Sequence, residues 1–202
     1  MLSNVDERIN RRTLLETLIR CSLEVWEADR FGRKIGGYVK KPVDIITDQF
    51  GTFLANMIAA YTGATSLQVI CSMKDTANAS RNIGFFHSTQ PAGSSGGKIA
   101  GCLVGVGTGA LAAARTDYNL QTQVGSWTAL SGNAVWTSAT GKVTFAGSVL
   151  IAAGADITEA GLEVILNDTG GTVRNFLFLH DVFGAVPIAA GKYAHVAYEL
   201  QL

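Results

Sequence analysis

The sequence predicts a mainly β protein: a β-sandwich of jelly-roll or immunoglobulin-like type with a helical N-terminal element. Apolar and polar residues alternate in short segments after residue 120, clearly so at 142–145 and 195–200. Turn-forming pairs such as Thr140-Gly141 and Ala190-Gly191 separate these segments, in a chain with 23 glycines but 3 prolines. Apolar residues make up 48% of the 202 residues, enough for a substantial core. Together these observations favour many strands joined by tight turns.

The charge content restricts the classes of partner. Charged residues make up 16% of the chain, against about a quarter in a typical protein, so we expect surface to be covered in a homo-oligomer. Lys plus Arg and Asp plus Glu number 16 each, which leaves no basic field for a phosphate backbone. We therefore expect no nucleic-acid partner.

Neither a membrane span nor a metal site is expected. The longest apolar run, 99–114, is interrupted by four glycines and falls short of the ~18 residues that a spanning helix needs. Residues 1–12 are polar and mixed in charge, unlike a signal peptide. Cys21, Cys71 and Cys102 are odd in number and lie in no His/Cys cluster, so they predict buried free thiols made in a reducing cytoplasm. We expect no cofactor.

The first segment, 1–20, is predicted to be a helix or an arm that docks on a neighbouring subunit. A helix over 4–20 would place apolar residues near one face. An extended arm stays open as an alternative, because 13–19 also tolerates strand pairing. The candidate interface residues in this segment are Leu15, Leu18 and Ile19.

Residues 21–98 are predicted to form a small α+β region with a loop-rich end. The alternation at 22–28 and 34–39, around a turn at 29–32, predicts a hairpin. The apolar stripe within 44–61 predicts the best helix of the chain, and Gly63 is positioned to end it. A strand is expected over 66–73. The stretch 75–100 is predicted to be loop-rich, with a Gly- and Ser-rich part at 90–97.

Residues 99–202 are predicted to form the β-sandwich domain. It opens on a buried strand at 99–106. The later candidate strands are 122–124, 134–138, 142–150, 157–166, 173–183 and 193–202.

The glycine run Gly105, Gly107 and Gly109 suggests a nucleotide-binding enzyme, which we keep as a remote alternative. A dinucleotide turn needs G-x-G-x-x-G between a strand and a helix, with an acid about twenty residues further on. Here the spacing is G-x-G-x-G, and the chain continues as β. We expect instead a glycine-rich strand end packed against a neighbouring backbone. Gly97-Lys98 lacks the other residues of a P-loop.

Hydrolase chemistry has little support, and no catalytic residue is predicted. His87, His180 and His195 are far apart in sequence. His180 and Asp181 are adjacent, but neighbours on a strand point to opposite faces, so they cannot act together locally. Asp156 and Glu159 are expected to be turn and capping residues.

Buried or interfacial roles are expected for the remaining singled-out residues. Asp181, in an apolar strand, is expected to be buried and hydrogen-bonded. Trp127, Trp136 and Tyr118 could stack on sugars if exposed. We expect these aromatic residues to lie in the core or at a subunit interface instead. Trp127 and Trp136 are the interface candidates in this part of the chain.

Short segments of 99–202 resemble structural proteins of tailed bacteriophage virions. In such proteins a Gly-Thr-Gly segment after a small apolar strand leads into a Thr-Asp-Tyr-x-Leu segment, as at 104–109 and 115–120. An Ile-Thr-Glu-x-Gly-Leu segment follows, matched by 157–162. The final strand comes after an Ala-Gly turn, here Ala190-Gly191, and ends in Tyr-x-Leu, here 198–200.

The resemblance implies a non-enzymatic virion structural protein, made in the bacterial cytoplasm and located in the virion. We expect a capsid decoration or stabilising protein that assembles with itself, as a trimer, and with major capsid or tail proteins. The alternative is a tail, baseplate or fibre component that binds host surface glycans.

Overall fold

The computed structural model describes residues 20–43, 45–62, 69–85, 99–131, 134–137 and 139–201. In these residues the protein is mainly β, as predicted, with twelve strands and one helix. Residues 4–19 of the predicted helix over 4–20, with the candidates Leu15, Leu18 and Ile19, lie outside the described residues, and Arg20 begins a strand. The elements, in chain order, are β1 (Arg20–Ala28), β2 (Lys34–Pro42), β3 (Ile45–Ile46), α1 (Asp48–Thr62), β4 (Val69–Lys74), β5 (Ser80–Phe85), β6 (Ile99–Gly107), β7 (Gln123–Ala129), β8 (Val135–Thr137), β9 (Lys142–Ile151), β10 (Ala155–Asn167), β11 (Val173–Ile188) and β12 (Lys192–Gln201).

The strands form three antiparallel sheets. The first has the order β2-β1-β12-β9-β8, and the second has the order β3-β11-β10-β6-β7. The third is the hairpin β4-β5. Because β1 pairs with β12 from Arg20↔Gln201 to Ala28↔Tyr193, the predicted 21–98 region and the predicted 99–202 domain share one sheet.

The main core contains side chains from both five-stranded sheets. Leu23 and Val25 of β1 and Tyr198 of β12 are fully buried in it, as are Val104 of β6 and Ile157 of β10. Residues two apart on a strand point to the same face, so this alternation puts one face of each sheet into a shared interior. Each such side chain stabilises the fold by about 1.5–3 kcal/mol.

The helix and the β4-β5 hairpin pack on a second apolar cluster. Phe53 of α1 lies 5.2 Å, centroid to centroid, from Phe178 of β11. Met73 of β4 and Ile83 of β5 are buried in the same cluster. The Thr47 hydroxyl donates to the backbone carbonyl of Leu177 at 2.7 Å, which fixes the chain just before the helix to β11.

The start of the helix and the end of β11 differ from the predicted boundaries. The predicted helix 44–61 is confirmed, but it begins at Asp48. Ile45 and Ile46 pair with His180 and Leu179 instead, because the free edge of β11 offers backbone partners there. Strand β11 runs to Ile188 rather than to residue 183, because β10 pairs with it as far as Ala155↔Ile188.

The prediction that 75–100 is loop-rich was wrong for 80–85. Strand β5 pairs with β4 from Lys74↔Ser80 to Val69↔Phe85. The Asp75 carboxylate organises the intervening turn by accepting the backbone N–H groups of Ala77 and Ala79, at 3.0 and 2.9 Å. The strand was missed because its first residues, Ser80, Arg81 and Asn82, are polar and hide the alternation that places Ile83 in the core.

Within the described part of the chain, no helix has the length and apolar character needed to cross a membrane.

Candidate functional site

Three titratable side chains from distant parts of the chain meet in one cluster. Glu159 lies on β10, His180 lies on β11, and Asp117 lies in the connection between β6 and β7, residues 108–122. His180 Nε2 is 3.0 Å from Glu159 Oε2, and His180 Nδ1 is 2.6 Å from Asp117 Oδ2. Glu159 and His180 are both 0% exposed. Since isolated charges are costly to bury, such a cluster requires close pairing.

The strand register explains how Glu159 and His180 come to the same face. His180 is paired with Gly161, two residues along from Glu159 on the same strand. The intervening Ala160 points into the main core, so Glu159 and Gly161 point away from the first sheet. An irregularity in the β10–β11 pairing between Ile157 and Glu159 marks the point where the carboxylate turns outward.

Glu159 is saturated with hydrogen bonds from the 108–122 connection. Its Oε1 accepts the backbone N–H groups of Gly109 at 3.0 Å and of Thr122 at 2.7 Å. Its Oε2 accepts the N–H of Gln121 at 2.9 Å. The neighbouring Thr158 hydroxyl donates to the Gly109 carbonyl at 2.7 Å. One buried carboxylate therefore holds both ends of the connection.

The glycine run makes room for this arrangement. A Cβ on Gly107 would lie 2.3 Å from both Glu159 Oε1 and the Thr122 carbonyl oxygen, and a Cβ on Gly109 would lie 2.7 Å from the Glu159 carboxyl carbon. A Cβ on Gly105 would lie 2.6 Å from the Trp127 ring. The expected packing against backbone thus holds for Gly107, whereas side chains occupy the space at the other two glycines. In the described residues 110–131 the chain forms no helix.

Trp127 lies over small residues of its own sheet. Its half-buried indole covers Gly105 and also approaches Gly161, where a Cβ would be 3.0 Å from the ring. Leu120, buried, approaches Gly161 from the connection. The side chain of Trp136 and all of His87 lie outside the described residues. Tyr118 is half-buried, with the Lys74 ammonium 5.9 Å from its ring centroid.

The middle of the connection is fastened to the helix start as well. Arg115 Nη2 is 2.6 Å from Asp48 Oδ1, and the Asp48 N–H donates to the Arg115 carbonyl at 2.8 Å. Asp117 Oδ2 also accepts the Ala114 N–H at 2.7 Å. Residues 108–122 are therefore held to β10, β11 and α1 despite having no regular secondary structure.

The electrostatics favour a charged His180. Burial alone would lower the pKa of His180, but its hydrogen bonds to Glu159 and Asp117 outweigh burial and raise that pKa above the ordinary value of 6.5. Burial would likewise raise the pKa of Glu159. The hydrogen bonds from His180 and from the N–H groups of Thr122 and Gln121 lower it below 4.5 instead. The cluster is thus a carboxylate–imidazolium–carboxylate bridge.

This bridge is suited to holding structure rather than to transferring protons. Both ring nitrogens of His180 already face carboxylates, so neither has room to act on a further group. The prediction that Asp156 and Glu159 are turn residues was wrong, because both lie inside β10. The pairing of β10 with β11 carries the strand back to residue 155 and so includes Asp156, whereas Glu159 already lay within the predicted strand 157–166.

Asp181 faces the other way from His180, as alternation predicts. It is fully buried, as expected, with Oδ1 3.9 Å from the Lys41 ammonium. The Lys41 ammonium also donates to the Val182 carbonyl at 2.9 Å. The adjacent histidine and aspartate therefore take part in separate interactions on two faces of β11.

A second histidine, His195, lies on the first sheet. Its Nδ1 is 2.7 Å from the Ser148 hydroxyl, and its ring stacks on Trp26 with centroids 4.2 Å apart. Burial lowers the pKa of His195, so this ring is neutral at pH 7. Serine, histidine and tryptophan are cross-strand neighbours on β9, β12 and β1, which accounts for the contact.

Glu163 is the other notable buried acid. It is 1% exposed on β10, and its Oε2 accepts a hydrogen bond from Asn175 Nδ2 at 2.9 Å. Its Oε1 has no hydrogen-bond partner among the residues that the structure describes. Burial raises the pKa of Glu163 to about 7, against the opposing effect of the Asn175 hydrogen bond.

The cysteines and possible metal ligands offer no reactive centre in the described residues. Cys21, Cys71 and Cys102 are free thiols; Cys71 is buried, as predicted, whereas Cys21 and Cys102 are half-buried. Burial raises the pKa of each thiol, to about 11 for Cys21. No group of three or more His, Cys, Asp or Glu side chains in that part of the chain could hold a metal ion. Comparison with protein-family models, with curated proteins and with solved structures found no match.

Proposed function

We propose that this chain is a non-enzymatic structural protein of a tailed-bacteriophage virion that decorates and stabilises the capsid. The observation that carries the proposal is the structural role of the buried charged cluster. His180 binds Glu159 and Asp117, and Glu159 also binds the backbone of the 108–122 connection. These hydrogen bonds keep the 108–122 connection in one conformation, and a subunit that binds other subunits needs such a fixed surface. In the same proposal, the two five-stranded sheets form a β-sandwich of jelly-roll or immunoglobulin-like type.

Exposed apolar side chains support self-assembly. Phe31 is 67% exposed at the turn between β1 and β2, and Leu111 is 74% exposed in the 108–122 connection. Ile35 and Tyr38 on the edge strand β2 are also well exposed. Burial of such surface between copies would stabilise a closed ring, with a trimer as our expectation.

The solution mass of the purified chain, measured by light scattering with negative-stain images of the same fraction, tests this proposal. We expect a trimer or a larger ring. A tube or fibre would instead favour the alternative of a tail or fibre component. A monomer at all concentrations would contradict the assembly on which both depend.

A variant lacking residues 1–19 tests the proposed arm. We expect the shortened chain to keep the β-strand signal and the cooperative thermal transition of the full chain, because β1 begins at Arg20. We also expect its mass to fall to that of a monomer. An unchanged oligomer would contradict the role of residues 1–19 in gripping a neighbour.

A thermal-shift screen with nucleotides and dinucleotides addresses the enzyme alternative. A ligand at ~100 times its dissociation constant adds about 2.7 kcal/mol to the free energy of unfolding. We expect no shift with these ligands. A clear shift that Gly107→Ala removes, while the unliganded variant stays folded, would favour a nucleotide-binding protein.

A further inference from the structure

The 108–122 connection, which we name the latch segment, is held largely by groups that titrate. Its ends are fixed by three N–H groups that donate to Glu159, and its middle is fixed by Asp117 on His180. The hydroxyl of Thr158 and the Arg115–Asp48 ion pair supply further contacts. Holding the segment in place therefore depends on the charge states of Glu159, His180 and Asp117.

The bridge requires His180 to be doubly protonated. An imidazolium donates from both nitrogens, whereas a neutral imidazole donates from one and presents a lone pair on the other. With both carboxylates at hydrogen-bond distance, at 3.0 and 2.6 Å, a neutral ring would leave one of them against a lone pair. Loss of one proton then removes a charge-assisted hydrogen bond and leaves two carboxylates without a cation between them.

We propose that the latch segment is a pH-operated device, closed while His180 is an imidazolium between two carboxylates and opened when that charge pattern is lost. Opening frees Leu120 from Gly161, where the Trp127 indole also packs, so it exposes the apolar side chain of Leu120 beside the second sheet. This inference does not rest on the proposed virion role.

The directions of the two shifts define the range in which the latch is closed. Because the pKa of His180 is raised above 6.5, its contribution is complete below 6.5 and is lost as the pH rises through the shifted value. Because the pKa of Glu159 is lowered below 4.5, its contribution is complete above 4.5 and is lost as the pH falls through the shifted value. The latch is therefore most firmly closed between 4.5 and 6.5 and opens on either side.

The neighbouring charges do not reverse the pH dependence of the latch segment. The Arg115–Asp48 pair, at 2.6 Å, joins the latch segment to α1, and its two charges offset each other. On β11, the carboxylate of Asp181 lies next in sequence to His180 but faces the Lys41 ammonium of β2, at 3.9 Å. Among the described residues, the titratable groups that face His180 directly are Glu159 and Asp117.

Amide hydrogen exchange at Gly109, Gln121 and Thr122 tests the latch, with rates corrected for the intrinsic effect of pH. We expect protection at pH 5.5 and a loss of at least about tenfold at pH 9, as the loss of one charge-assisted hydrogen bond produces. His180→Gln should abolish the pH dependence. His195→Gln is the matched control, since among the described residues His195 contacts Ser148 and Trp26 and is bonded to no carboxylate, and it should behave as the unaltered chain does.

Asp117→Asn gives a second test if His180→Gln does not fold. It keeps the Glu159 bonds and removes one of the two charges that face His180. The NMR titration midpoint of His180 should lie above 6.5 in the unaltered chain and should fall in this variant. Equal corrected protection at both pH values, or a midpoint that Asp117→Asn leaves unchanged, would overturn the proposal.

Discussion

Gly105 and Gly161 are cross-strand partners on β6 and β10, and together they leave the space that the Trp127 indole covers. We expect Gly105→Ala to lower the free energy of unfolding by about 1–3 kcal/mol, because its Cβ would force the ring away. Urea unfolding measures the change. Gly184→Ala is the control, since a Cβ there meets nothing within 4 Å. Equal effects of the two substitutions would contradict the packing role of Gly105.

Glu163 gives a pH-dependent prediction of the opposite sense to Glu159. Its folded pKa of about 7 lies above its ordinary value of 4.5, so its own contribution to stability is complete below 4.5 and is lost as the pH rises through 7. The full loss is about 3 kcal/mol. Glu163→Gln should remove this loss and stabilise the protein at pH 9 more than at pH 4.

Thermal and urea unfolding at pH 4 and pH 9 check the Glu163 prediction. Asp156→Asn is a suitable control, because Asp156 is exposed on the same strand. Asp156→Asn should leave the difference in the free energy of unfolding between pH 4 and pH 9 unchanged. A Gln variant that loses as much stability at pH 9 as the unaltered chain would show that Glu163 does not titrate near neutrality.

At the scale of single elements, the helix α1 contains a glycine, which is unfavourable inside a helix. Gly51 lies in its first turns with an exposed backbone position, and a Cβ there meets nothing within 4 Å. Gly51→Ala should raise the free energy of unfolding by about 1 kcal/mol, because alanine loses less backbone entropy in a helix. Thermal unfolding measures the rise. A destabilised variant would mean that Gly51 is not in a regular, solvent-facing helix position.

Elements with clear periodicity could be predicted from the sequence. The strands around 142–151 and 192–201 alternate, and glycines with positive φ, such as Gly141 and Gly191, stand at their turns. Strand β3 could not be predicted, because two residues hold no period. Strand β7 is longer than predicted because Gly125, at φ 70, and exposed polar residues hide its alternation.

The charged cluster could not be predicted, because topology assembles it. Asp117 and His180 are 63 positions apart, and His180 and Glu159 are 21 apart. Only the register of β10 with β11 and the course of 108–122 bring them together. The one available signal was a pair of charged residues, Glu159 and His180, each within an apolar strand, where an unpaired charge would be costly.

At the scale of the whole molecule, the shared core predicts cooperative unfolding. Trp26 reports on the first sheet and Trp127 on the second. The third tryptophan, Trp136, lies on β8 of the first sheet. In Trp127→Phe, which leaves tryptophans on the first sheet, and in the double variant Trp26→Phe with Trp136→Phe, which leaves Trp127, the urea curves from fluorescence and from far-UV circular dichroism should coincide within each variant. Two separate transitions would instead mean that 21–98 and 99–202 unfold as independent domains.

The position of β12 in the first sheet has a consequence for synthesis. This strand lies between β1 and β9, yet it is the last of the described strands to leave the ribosome. Until it emerges, β1 and β9 each lack one neighbour, and their backbone edges stay open to wrong pairing. Among the described strands, the pairing of β1 with β12 closes the longest loop, from Arg20 to Gln201. Pairings that close long loops form slowly, so nascent copies on one messenger are exposed to strand exchange at this stage.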